Sequence, residues 1–120
     1  MTSSRRDPAA LLPLTDLSLH ILLALGDGAS HGYVIGKDVE RCSGGRLNPA
    51  TGSLYQAFKR LREDGLIVEA KRTHAGERQG SRRQYFQLTP FGRRVFALEA
   101  DRLQGLLSAA REKKLVPKRS

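Results

Sequence analysis

At Gly65 the hydrophobic pattern of the chain changes period. Before it, Leu54, Phe58 and Leu61 recur at i, i+4 and i+7, the spacing of one helix face. After it, Leu66-Ile67-Val68-Glu69-Ala70-Lys71-Arg72-Thr73 reads as a strand and Gln84-Tyr85-Phe86-Gln87-Leu88-Thr89 as its partner. The stretch from His74 to Ser81 holds two glycines and no hydrophobic anchor, so it reads as a projecting loop. In a chain of 120 residues one such switch implies a helical core with a hairpin attached. The expected class is mainly α with a two-stranded β-wing, α+β.

Local signals place the remaining elements. Residues 1–13 lack sustained periodicity and are expected to form a disordered arm. Thr15 and Asp16 start a first helix, Leu17, Ile21 and Leu25 give its buried side, and Gly26-Asp27-Gly28 stops it. Ser30 is the expected cap of a second helix that buries Val34, Ile35 and Val39 and ends near Cys42. Gly36 inside it points to close helix packing. Pro49 is the expected start of the third helix and Gly65 its end. Thr89-Pro90 then opens a helix running to about Lys114, and residues 115–120 form a flexible tail. Order and spacing together describe a winged helix-turn-helix unit over 14–89 with a long C-terminal helix over 90–114.

Composition narrows the partners. Lysine and arginine number 21 against 12 acidic residues, a net charge of +9. Between Arg46 and Arg94 there are eleven basic and four acidic residues, so +7 of that charge sits in one central segment. Such a concentration calls for a polyanion. The single cysteine, Cys42, excludes a disulfide framework and is expected to be a small buried residue; a reducing cytoplasm fits. His20, His31 and His74 do not cluster with other ligands, so neither a metal nor a cofactor is expected. No phosphate loop, nucleophile elbow or HExxH pattern occurs, which argues against an enzyme. Pro8 and Pro13 break the N-terminal apolar residues, and no membrane span is expected.

The run HGYVIGKDVERCSGGRLNPATGSLYQAFKRLREDGLI, followed by GSRRQYFQLTPFGRR, resembles the PadR family of bacterial transcriptional regulators from roughly Leu17 to Arg94. His31-Gly32-Tyr33, Gly52-Ser53-Leu54-Tyr55, Gly65-Leu66-Ile67 and Tyr85-Phe86-Gln87-Leu88-Thr89 with Gly92 carry the likeness. Gln56 departs from it, since the family commonly has proline after the Leu-Tyr pair. The resemblance implies a dimeric repressor whose third helix enters the major groove while its wings follow the flanking backbone.

The residues lead to the same place. With Leu54, Phe58 and Leu61 turned inward, the outer side of the third helix includes Thr51, Ser53, Tyr55 and Gln56, expected to contact the groove, and Lys59 and Arg60, expected with Arg46 to meet phosphates. Arg78, Arg82 and Arg83 lie on the wing, at phosphates or in a narrow minor groove. The last helix, about 25 residues and about 37 Å, is longer than a small core covers. Its Phe96, Ala100, Leu103, Leu107 and Ala110, at heptad spacing, are the expected dimer seam. Gly105 is expected to allow close approach there. Phe91, Phe96 and Leu103 are candidate walls of a pocket for a small hydrophobic effector. The expected function is a homodimeric repressor on an inverted-repeat duplex; the alternative is a small basic RNA-binding or ribosome-associated protein. Aromatic content of 6% with no tryptophan supplies few stacking platforms for unpaired bases and favours duplex DNA.

Overall fold

Thr15 caps the first helix, α1 (Asp16–Ala24), by accepting the Ser18 amide proton at 3.1 Å. The computed structural model describes residues 7–70 and 84–117. Beyond α1 the order is β1 (Ser30–His31), α2 (Gly32–Cys42), α3 (Thr51–Glu63), β2 (Ile67–Ala70), β3 (Tyr85–Leu88) and α4 (Pro90–Glu112). Ile21, Leu22 and Leu25 from α1 and its cap meet Ile35 and Val39 of α2, Leu54, Ala57, Phe58 and Leu61 of α3, and Leu66, Ile67, Phe86 and Val95 in one core.

The helix that leads into the hairpin ends as its glycine requires. Gly65 has φ +79°, and the Gly65 and Leu66 amides donate back to the carbonyls of Arg62 (3.0 Å) and Leu61 (2.9 Å). That left-handed cap satisfies two carbonyls and brings Leu66 onto Leu61. The strands then pair antiparallel in the order β1-β3-β2, with Glu69 opposite Phe86 and Ser30 opposite Phe86 on its other edge. A third, two-residue strand thus extends the expected two-stranded sheet. Ser30 is its member and not a helix cap: α2 starts at Gly32 behind His31, whose side chain makes no capping bond.

Other expectations need correction. α3 begins at Thr51 behind Ala50, two residues after Pro49. Val34 is exposed on α2 although Ile35 and Val39 are buried, because at 100° per residue it lies outside the stripe that those two define. Cys42 is exposed at the end of α2. Part of the expected disordered arm is ordered: Pro8–Leu11 forms a 3-10 turn against α4, and Leu11, Leu12 and Leu14 pack on the core. Of the tail, Leu115 is exposed and its amide donates to the Ala110 carbonyl at 2.9 Å. The loop from His74 to Ser81, with Arg78, and Arg82 and Arg83 beyond it, lie outside the described residues.

Candidate nucleic-acid interface

The packing of α3 decides which of its side chains face outward. Leu54, Ala57, Phe58 and Leu61 are buried, while Thr51, Ser53, Tyr55, Gln56, Lys59 and Arg60 are exposed. Six expected contact residues therefore share one solvent surface on a helix whose other side is anchored. The anchor is aromatic: Phe58 stacks on Phe86 with ring centres 4.7 Å apart, tying α3 to the sheet, and Tyr55 meets Phe58 edge-on at 5.0 Å. No acidic residue stands in the first turn of α3, so the helix carries no carboxylate of its own against the positive end of its dipole.

Tyr55 is held between packing and exposure. Its ring is 40% exposed, yet a methyl group on Gly32 would stand 2.4 Å from its hydroxyl oxygen. Gly32 and Tyr55 are thus two halves of one contact between the start of α2 and the exposed face of α3. Gly32→Ala is expected to push the ring outward, loosen the Phe58 contact and cost about 1 kcal/mol. Thermal melting checks the cost, and an unchanged melting temperature would show that the ring yields freely.

The cations differ in how free they are. Lys59 pairs with Glu63 at 3.3 Å, but both side chains are well exposed, so the pair is weak and exchangeable. Arg60 has no ionic partner among the described residues. Arg46 is engaged within the chain: its guanidinium bonds the Asp16 carboxylate at the start of α1 and holds that carboxyl below its ordinary range, against the opposing effect of burial. A phosphate at Arg46 must compete with Asp16.

A groove of about 270 Å³ runs between α2 and α3, lined among others by Tyr33, Lys37, Asn48, Thr51 and Tyr55. Tyr33 is 70% exposed, and the Lys37 ammonium lies 5.6 Å from its ring centre. Sequence reading missed these two residues. Their spacing of four is visible in the sequence, but their place beside the start of α3 is not.

Among the expected seam residues, Phe96 and Ala110 are half-buried, and Ala100, Leu103 and Leu107 are exposed, with Leu106 beside them. Gly105 lies on the far side of α4 from Leu103 and Leu107 at 100° per residue, so this seam gives no account of it. Phe91 and Phe96, both packed on the core, lie about 140° apart around the helix. Among the described residues no three His, Cys, Asp or Glu side chains gather as a metal site, and no helix is long and apolar enough to cross a membrane.

Helix, turn and outward-facing helix, followed by a sheet and a long helix, define a winged helix-turn-helix. Comparison with known proteins makes the assignment specific: the pattern of the Transcriptional regulator PadR-like family matches residues 21–98, and the chain belongs to that family. It is a family of transcriptional regulators and not of enzymes. The chain is 37% identical over 94 residues to the Mycobacterium tuberculosis transcriptional regulator Rv3488, covering 78% of each. It is 41% identical over 85 residues to an uncharacterized 37.1 kDa protein of a Streptomyces fradiae transposon; the match takes in 71% of this chain but only 22% of that longer protein. Among solved structures, a Clostridium thermocellum transcriptional regulator superposes with TM-score 0.64 at 26% identity, covering 84% of this chain and 90% of that one. A Clostridium difficile PadR family regulator has the same fold, with TM-score 0.67 at 20% identity and coverage of 82% and 97%.

Proposed function

We propose that the protein is a DNA-binding transcriptional repressor that acts as a homodimer on an inverted-repeat operator. The observation that carries this reading is the surface of α3: hydroxyl, amide and cationic side chains on one exposed face, with the opposite face locked by Phe58 against the sheet. Thr51, Ser53, Tyr55 and Gln56 meet the major groove. Lys59 and Arg60 meet phosphates, as does Arg46 once it exchanges Asp16 for one. Arg78, Arg82 and Arg83 act from the wing on the flanking backbone.

Dimerisation rests on α4. The side of this helix that buries Val95 and Glu99 at its root continues outward as Leu103, Leu106, Leu107 and Ala110, where the core of its own chain has ended. At 23 residues α4 is about 35 Å long, and the radius of gyration of 16.4 Å exceeds the roughly 14 Å of a compact chain this size. A second copy covers the stripe economically and presents two recognition helices about one duplex turn apart, roughly 34–36 Å. A hydrophobic effector held by Phe96 and Leu103, which share one side of α4 while Phe91 lies on another, would bind at this junction and loosen it; isothermal titration with phenolic compounds and hydrophobic cations tests that part. The reading places the protein in the cytoplasm with its duplex.

The test compares selection from random duplexes with binding to structured RNA of equal length under matched salt. The expected outcome is enrichment of an inverted repeat. Preference for the RNA overturns the reading. Lys59→Ala is expected to weaken binding to all duplexes alike and to reduce the slope of log affinity against log salt by about one.

A further inference from the structure

The glycines inside the helices divide into two kinds. An added methyl group would meet Leu54 at Gly36, Tyr55 at Gly32 and the Leu66 backbone at Gly92, so packing within the chain accounts for these. At Gly52 in α3 and at Gly105 in α4 it would meet nothing within 4 Å, and of these two only Gly52 lies on the candidate interface. Gly52 is the second residue of α3 and fully on its solvent side. A glycine there weakens the helix relative to alanine and gains no contact within the chain for it.

Helical spacing puts Gly52 in line with Gln56 and Lys59, along the ridge of α3 opposite Leu54, Ala57, Phe58 and Leu61. Gln56 stands at the crest of that ridge, exposed, with no hydrogen-bond partner among the described residues. The only acidic residue of α3, Glu63, closes its C-terminal end, while its first half carries none. Lys59, Arg60 and Arg62 lie in its second half, where they can hold phosphates, and a helix docked in this way brings its first half nearest the base edges. Gly52 then removes the one side chain that would hold the crest away from the bases.

Resting on the DNA-binding reading above, we infer that Gln56 is the specificity-determining residue of this chain: it recognises an adenine in each half-site, and Gly52 lets α3 come close enough for it to do so. The Gln56 side-chain amide donates through Nε2 to adenine N7 and accepts through Oε1 from the adenine N6 amino group, a pair that no other base completes in the major groove.

Selection from random duplexes with the full chain and with Gln56→Ala tests the inference. The wild-type protein is expected to require adenine at one position per half-site, and Gln56→Ala to accept all four bases at that position alone, with about 5- to 100-fold weaker binding to the wild-type site. An unchanged motif and affinity in Gln56→Ala, or a base other than adenine at the relaxed position, overturns the inference and leaves DNA binding standing. If the wild-type chain enriches no duplex, the DNA-binding reading falls first. Gly52→Ala supplies a crossed readout: its melting temperature rises by about 2–5 °C, as helix propensity requires, while affinity for the selected site drops by roughly tenfold, about one bidentate contact. A stabilised variant with undiminished affinity overturns the part assigned to Gly52.

Discussion

Gly92→Ala is expected to destabilise the protein by about 3 kcal/mol or more, the largest effect of a methyl group added at any described glycine. A Cβ at that position would lie 2.1 Å from the Leu66 carbonyl oxygen and 3.0 Å from the carbonyl carbon. Those atoms cannot swing aside. The Leu66 carbonyl accepts the Thr89 amide proton at 3.1 Å, and the Thr89 hydroxyl reaches the Gly65 carbonyl at 2.6 Å while accepting from the Gly92 amide at 2.8 Å. The first turn of α4 is thereby pressed onto the turn that ends α3, and a methyl group must separate them. Denaturant unfolding checks the figure; a loss under about 1 kcal/mol would mean that the junction adapts. The same junction sets the angle between the proposed recognition helix and the proposed dimer helix. Any folded remnant of Gly92→Ala is therefore expected to prefer a different half-site spacing.

Much of this architecture is legible in the sequence because it is local. Thr15, Gly65 and Thr89, in its capping of Gly92, act within one turn of themselves, and the helical spacing of Leu54, Phe58 and Leu61 names the buried side of α3 without knowledge of what covers it. What stayed hidden depends on contacts across the chain. Ser30 has the chemistry of a helix cap, but Phe86, far along the chain, recruits it into a strand. Arg46 looks like a free cation until α1 brings Asp16 beside it. The polar surface of the candidate interface was legible because exposure follows from the helical period; the contribution of Tyr33 and Lys37 was not, since it requires the crossing of α2 over α3.

Glu99 is the clearest case of a long-range contact, and it carries the second large effect. Glu99 stands in the apolar stripe of α4 and is 1% exposed. The chain returns to it: the Leu14 amide donates to Oε2 at 3.0 Å, and Arg102 donates from Nε at 2.6 Å and from Nη2 at 3.0 Å. Hydrogen bonding from Arg102 holds the Glu99 carboxyl below the usual glutamate range, with the Leu14 amide adding to it against the cost of burial. Since the folded value lies below the unfolded one, this contribution is fully present above the ordinary glutamate pKa, near 4.5, and is lost as pH falls through the lowered value. Glu99→Ala leaves the Leu14 amide unpaired beside a cavity and is expected to cost about 2–3 kcal/mol at neutral pH. Glu99→Gln keeps an acceptor for Leu14 and costs less, but its stability should no longer fall with this carboxyl in acid. Amide exchange distinguishes the cause from general weakening. In Glu99→Ala the Leu14 amide should exchange far faster at a pH where Phe58 remains protected, because the N-terminal turn peels from α4 before the core opens. Equal acceleration at both positions would show that Glu99 stabilises the domain as a whole and does not specifically fasten that turn to the helix.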